Sequence, residues 1–357
     1  MSKSIGPVGS GPEKHGRPFV LLIVVLILAI SGATALAAEP QETVFSYPQL
    51  NSVDVDVDLV KHSGMTVRIL TDSCKVILSP QLLASLSAKG YKEVTIRIWG
   101  NWHVEITAKG EAVNYNNANA PLQISLPVPA DRDAEGYTAQ HTDGGNTVLP
   151  FSYPENGWLT FFSPTDGSFA VSYNAKSFND LPDDWYRPAI AFVSARELFN
   201  GVDAYSFAPG MSMTRSMFAT VLYRLDSSPG IQTSVRFSDI ASGLWYSDPV
   251  TWAASNGIVR GVGDNKYNPG QNVTREQMVQ ILYNYAIVKG LDTDANIELS
   301  GFADAQTVNG WALSAMKWAV EGVLIAGRPD GRLDPAGQAT RAEVAIILQR
   351  FVEGTGR

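Results

Sequence analysis

Phe237-Ser238-Asp239, then Trp245-Tyr246, Trp252, Gly261, Pro269 and Thr274-Arg275-Glu276-Gln277 mark out a passage that the chain writes three times over its last 180 or so residues. The other copies run from Phe178-Asn179-Asp180 to Thr214-Arg215 and from Phe302-Ala303-Asp304 to Thr340-Arg341. In every copy 29 residues separate the first Trp from the Thr: 185 to 214, 245 to 274, 311 to 340. Between them a second aromatic (Phe192, Trp252, Trp318), a Gly (Gly201, Gly261, Gly327) and a Pro (Pro209, Pro269, Pro335) hold the same register. Only the step from Phe-x-Asp to Trp drifts, by one residue per copy. A fixed period of this kind denotes supersecondary units that cannot bury their apolar faces alone, so three copies are expected to build one domain.

Within each copy the period is helical. After Thr214, residues Met217, Phe218, Val221, Leu222 and Leu225 form one broad apolar stripe, and Met278, Ile281, Leu282, Tyr285 and Val344, Ile347, Leu348, Phe351 repeat it. Each Thr can cap the free amides of the helix that follows. Thr340-x-x-Glu343 is a capping box, Thr274-x-x-Gln277 a variant, and repeat one, with Met217 there, has none. A first helix is expected to start near each Trp and end close to the Gly. The second aromatics stand two turns beyond the first on the same face and read as core. The Asp of Phe-x-Asp reads either as the cap of that first helix or as a ligand contact. Polar linkers at Asp226–Ser234 and Lys289–Ser300 divide the repeats, placed at 177–226, 235–288 and 300–353.

Ahead of the repeats, residues 42–175 alternate with a two-residue period broken by Gly, Pro, Asn and Asp. Strands are expected at 66–70, 94–99, 103–106, 122–126, 158–162 and 169–173, with a further one around Lys75-Val76-Ile77. One helix, Pro80 to Ala88, should interrupt them, with Ser79 as N-cap and Pro80 in the first position. The fold class is therefore multidomain: a β-rich, sandwich-like N-terminal module of unassigned role followed by an all-α three-repeat region.

Residues 1–37 read as a signal peptide: Lys3, Lys14 and Arg17, an apolar run from Phe19 to Ile30, and an Ala35-x-Ala37 site with cleavage after Ala37. An uncleaved anchor competes, because apolar character extends to Ala38, and would be the chain's only link to a membrane. The polar break at Ser31-Gly32 favours cleavage. The formal net charge of −8 argues against nucleic acid as a partner, which needs a basic footprint. A single cysteine, Cys74, leaves no intrachain disulfide, and its strand-like setting suggests a buried, inert thiol.

Phe-x-Asp, Trp-Tyr, the second aromatic, Gly, Pro and Thr-Arg-x-Glu together resemble the signature of S-layer homology repeats, three of which anchor many bacterial surface proteins to the wall. The resemblance implies a pseudo-threefold bundle with grooves between adjacent repeats, and in those grooves non-covalent binding of secondary cell-wall polysaccharide attached to peptidoglycan, often pyruvylated. The expected polysaccharide contacts are Asp180, Trp185, Gly201 and Arg215 in repeat one, Asp239, Trp245, Gly261 and Arg275 in repeat two, and Asp304, Trp311, Gly327 and Arg341 in repeat three. The chemistry is coherent. A guanidinium at a helix N-terminus meets a ketal carboxylate with paired hydrogen bonds, and an indole face packs on sugar C–H groups. Gly would let backbone approach the ligand, and Asp could accept hydroxyl hydrogens or orient an Arg. Repeat one lacks the acidic residue after Thr-Arg, Trp311 is followed by Ala312 in place of Tyr, and Glu197 and Val323 stand where repeat two has Gly257. Repeat two is the most complete, so its groove ranks first.

No Walker loop, nucleophile elbow or dinucleotide fingerprint is present, and no enzyme activity, cofactor or metal is expected. The four His are scattered, and Val53-Asp54-Val55-Asp56-Val57-Asp58 reads as a solvated strand edge before a Ca²⁺ site. The alternative reading puts a wall-modifying hydrolase or an adhesin in the β module, since the carboxylate separation that hydrolysis needs is a property of fold.

Overall fold

A computed structural model describes residues 42–46, 52–57, 64–100, 102–113, 120–231 and 237–355. The signal segment, Asp58, His62 and part of the first linker lie outside these residues. Two sheets form the N-terminal region. One runs β1 (Glu42–Ser46), β3 (Thr66–Leu70), β4 (Lys75–Leu78), β8 (Leu122–Pro127), β12 (Trp158–Ser163) and β11 (Ser152–Glu155). The other runs β10 (Thr147–Leu149), β9 (Tyr137–His141), β13 (Gly167–Tyr173), β6 (His103–Ala108), β5 (Glu93–Trp99) and β2 (Ser52–Asp56), with β7 (Glu111–Ala112) beside β6.

Alternation decides which way each strand faces. Val53 and Val55 of β2, Val67 and Ile69 of β3, and Val94, Ile96 and Ile98 of β5 are buried, and residues from both sheets share one apolar core. Asp54 and Asp56 face outward on the edge strand β2, where Asp54 accepts a bond from Thr95 Oγ1 at 2.7 Å. Helix α1 (Pro80–Ala88) is capped by Ser79, whose Oγ accepts from the Leu82 amide, and buries Leu82, Leu83 and Leu86 in the same core. Cys74 is buried there too, and burial pushes its thiol up to about 12.

Helices follow in pairs: α2 (Arg187–Ala195) and α3 (Arg215–Leu225), α4 (Ser247–Ser255) and α5 (Arg275–Val288), α6 (Leu313–Glu321) and α7 (Arg341–Gly354). The Thr caps form as the spacing predicts, with capping boxes at Thr274 and Thr340 and none at Thr214. The first helices differ from expectation. Each ends six residues before its Gly, and two residues further on the chain takes a left-handed conformation: Glu197 (φ 58), Gly257 (φ 72) or Val323 (φ 56). The amide of the following residue bonds back across the last turn, as Ile258 N does to Ala253 O at 2.8 Å, a Schellman closure. Glycine is at ease in that conformation; Glu197 and the β-branched, exposed Val323 hold it under strain.

The partners of each pair belong to different neighbours. Helix α3 packs on α4, α5 on α6, and α7 on α2. Around the helix starts three backbone bonds close a ring: Met213 N to Ala339 O (2.9 Å), Ala339 N to Val273 O (3.1 Å) and Val273 N to Met213 O (2.9 Å). The helical core also takes in Tyr153 from β11, and Phe151 stacks edge-on with both Phe162 and Phe351, joining the two regions.

Candidate functional site

Each Thr-Arg arginine is buried and reaches out of its own repeat. Arg215 donates through Nε to Tyr267 O (2.9 Å) and through Nη2 to Arg260 O (2.7 Å) in repeat two. Arg275 does the same to Leu333 O (2.9 Å) and Ala326 O (3.3 Å) in repeat three. Arg341 returns to repeat one, at Phe207 O and Asn200 O, both 2.7 Å. The cycle is thus closed by side chains as well as backbone. Burial pulls the Arg341 guanidinium down to about 10 and that of Arg275 below its usual value, with Glu343 opposing the shift at Arg275.

The Asp of Phe-x-Asp holds the same loop from the other side. Asp180 accepts from the amides of Phe207 and Ala208, Asp239 from Tyr267 and Asn268, and Asp304 from Leu333 and Asp334, all at 2.6–2.8 Å. Residues 207, 267 and 333 therefore have their N–H on an Asp and their C=O on an Arg. Burial would raise Asp239, yet these two amide donors keep its carboxyl below the ordinary range. No first helix is capped by this Asp: the N-cap positions are Tyr186, Tyr246 and Ala312, without side-chain bonds.

The repeated Gly sits where backbone crowds. A methyl on Gly261 would stand 2.7 Å from Lys266 O and 2.8 Å from the Phe237 ring, and one on Gly327 would stand 2.8 Å from Phe302. Its need is internal packing against the Phe of Phe-x-Asp. The helix N-termini are also occupied. The amides of Arg215, Arg275 and Arg341 bond to Gln271, Gly337 and Met211 carbonyls at 2.8–2.9 Å, and the next amides to Pro269, Pro335 and Pro209. The helix starts therefore have these amides already spent on neighbouring carbonyls.

The second aromatics Phe192, Trp252 and Trp318 are core, as their spacing predicts. The first ones are exposed: Trp185 at 68%, Trp245 at 59% and Trp311 at 54%, far more than a packing role requires. A hollow of about 260 Å³ brings three repeats together, with Trp185 from repeat one, Arg275 from repeat two and Gly327, Arg328, Glu343 and Arg350 from repeat three. Sequence order groups Trp, Gly and Arg within a repeat; space groups them across three.

Arg328 and Arg350 are absent from the residues picked out by the motif. Arg328 pairs with Glu343 and, at 3.1 Å, with Asp334, while Arg275 Nη1 lies 3.3 Å from the same Glu343. Arg350 donates to Val323 O and Leu324 O at 3.3–3.4 Å. Three guanidinium groups against two carboxylates leave the hollow with a net positive charge. The signal was available by aligning the repeats: the residue after the Gly is Val202, Val262 and Arg328 in turn.

Comparison with known proteins agrees with this architecture. The model of the S-layer homology domain matches residues 177–218, 236–279 and 301–345. Amylopullulanase of Thermoanaerobacterium thermosulfurigenes is 26% identical over 86% of this chain and 17% of its own length. The surface-layer 125 kDa protein of Lysinibacillus sphaericus is 30% identical over 42% of this chain and 12% of its own, and the S-layer protein of Bacillus thuringiensis subsp. finitimus 28% over 50% and 22%. The chain thus spans roughly a fifth or less of the length of these relatives. It carries three S-layer homology domains in its C-terminal half, as a secreted protein of the cell surface.

Proposed function

We propose that the three repeats form a pseudo-threefold bundle that anchors the protein non-covalently to acidic secondary cell-wall polysaccharide, in grooves each built from the Trp of one repeat, the Arg of the next and the Gly loop of the third. The supporting observation is the hollow at Arg275, where an indole open to solvent faces an excess of guanidinium. A sugar carrying a ketal carboxylate offers both a C–H face for Trp185 and an anion for Arg328 and Arg350. The grooves of Arg215 and Arg341, with Val262 and Val202 in place of Arg328, would hold less acidic sugar units. In this reading the protein is not an enzyme and the β module is carried outward by the anchor. The amylopullulanase similarity covers 86% of the chain and therefore extends into the β module, yet amounts to 17% of that enzyme, which suits an appendage better than a catalytic part.

Co-sedimentation of the full chain with polymer-bearing sacculi tests the proposal. Stripping the polymer chemically should leave the protein in the supernatant, and Arg328→Gln should weaken binding about tenfold, as loss of a charge-assisted bond does. Equal sedimentation with stripped sacculi would dispose of it. Release of reducing sugar from the same sacculi would turn the reading towards a hydrolase.

A further inference from the structure

A larger hollow, about 1050 Å³, lies at the seam between the sandwich and repeat one. Its sandwich side includes Gln140 and Thr147, and its repeat side Arg196, Glu197, Asp203 and Arg224. Phe178 and Gly201 of the repeat motif also line it. The volume is at the top of the range for small-molecule sites, enough for an oligomer.

Arg196 is the decisive residue. It is 1% exposed, and three of its bonds fix it to backbone: Nε to Ser152 O, Nη1 to Glu135 O (3.0 Å) and Nη1 to Phe192 O (3.1 Å). Nη2 is buried without a hydrogen-bond partner. An unmade bond on a buried guanidinium is costly, and the Phe192 ring, its centre 3.5 Å from the guanidinium carbon, together with the charges of Glu353 and Glu135, offsets only part of that cost. Burial draws Arg196 down to about 9, so it is still a cation at neutral pH. Arg224 is held in the same manner, with Nη1 on Leu198 O at 3.1 Å, and exposed Lys176 adds a third positive group on the lining. Of the two carboxylates, Asp203 is already engaged by the Tyr205 and Ser206 amides. Much of the remaining wall is amide and hydroxyl, from Gln140, Asn146, Thr147 and Ser228. Carboxamides both donate and accept, which matches the acetamido groups of amino sugars.

We propose that this seam is a second glycan site, taking a short acidic amino-sugar oligosaccharide whose carboxylate meets the wall formed by Arg196 and Arg224. It relies on the anchoring reading only for bringing the chain to wall glycan; the groove at Arg275 shares no lining residue with the seam, so it could fail and the seam still bind. Calorimetric titration of the full chain with the N-acetylglucosamine–N-acetylmuramic acid disaccharide tests it, with N,N′-diacetylchitobiose as a neutral probe that lacks the lactyl carboxylate. The acidic disaccharide should bind about tenfold tighter than the neutral one or better, the scale of one charge-assisted bond. Ala204→Trp and, from the opposite rim, Ser228→Trp should abolish binding with the fold intact by circular dichroism, whereas Arg97→Met, on the exposed face of the sandwich and outside both hollows, should leave it unchanged. Equal affinity for the two probes, no binding of either, or undiminished binding by both rim variants would overturn the seam site. Loss on Trp185→Ala with rim variants unaffected would overturn it too, assigning the disaccharide to the groove.

Discussion

The sandwich and the helical repeats bury their polar groups in opposite ways. Inside the sandwich these are hydroxyls such as Thr107, Ser125 and Thr160, and Ser125 and Thr160 satisfy each other at 2.8 Å across neighbouring strands. In the repeats they include four arginines and Glu276, each bonded to backbone of another element. A hydroxyl that loses its partner costs little and can turn to another. A buried guanidinium cannot, because it keeps its charge and leaves two carbonyls unpaired when removed. The sandwich is therefore held by apolar alternation that tolerates local change, while the repeats depend on contacts spanning up to 141 residues of sequence.

The sharpest way to break that contrast is Arg341→Met, which keeps side-chain volume and removes the two bonds that return repeat three to repeat one. Stability of the helical region should fall by about 3 kcal/mol, the scale for breaking a buried charged contact. Chemical denaturation followed by helical circular dichroism reads it. The exposed Arg97→Met in the sandwich should stay within about 0.5 kcal/mol of the parent. Coincident midpoints for the two variants would mean that the side-chain cycle contributes nothing.

A smaller effect separates the regions by pH. Cys74 in the sandwich is raised from 9.0 to about 12, and Tyr267 in the repeats from 10.0 to about 12, both through burial. A raised folded pKa means that the unfolded chain loses its proton first. The stabilising contribution is complete below the unfolded value and declines as pH climbs towards the folded one, by up to roughly 1.4 kcal/mol per pH unit for one group. The sandwich should begin to weaken near pH 9 and the repeats about one unit later. Melting temperatures between pH 8 and 11 test this against Cys74→Ala, which should flatten the first decline; an identical decline in that variant refutes the assignment to the thiol.

Much of this contrast was legible in the sequence, and the gaps have physical causes. Strands β3, β5, β6, β8, β12 and β13 were marked by alternation, and α1 by Ser79 and Pro80. Strand β9 escaped because Tyr137, Thr138 and Ala139 are all buried, so no alternation shows, and β11 because Pro154 reads as a breaker, although an edge strand accommodates it. In the repeats the motif located the residues but not their grouping. Spacing along one chain cannot say that Arg275 reaches Leu333, since that depends on how neighbours close. It also left open whether the Asp caps a helix or contacts ligand; that it grips a loop, with two consecutive amides on one carboxylate, shows only in space.

The smallest expected change in stability is at Trp185, and it separates folding from binding most cleanly. An indole 68% exposed contributes little to the core, so Trp185→Ala should leave the denaturation midpoint within about 0.5 kcal/mol of the parent. Arg275, across the same hollow, is buried and doubly bonded to backbone, so any variant there confounds a binding defect with a folding one. Trp185 carries no such ambiguity. If the hollow holds wall glycan, its loss should lower co-sedimentation with polymer-bearing sacculi about tenfold, the worth of one stacked aromatic face. A variant that folds as the parent does and sediments as the parent does would show the exposed indole to be idle.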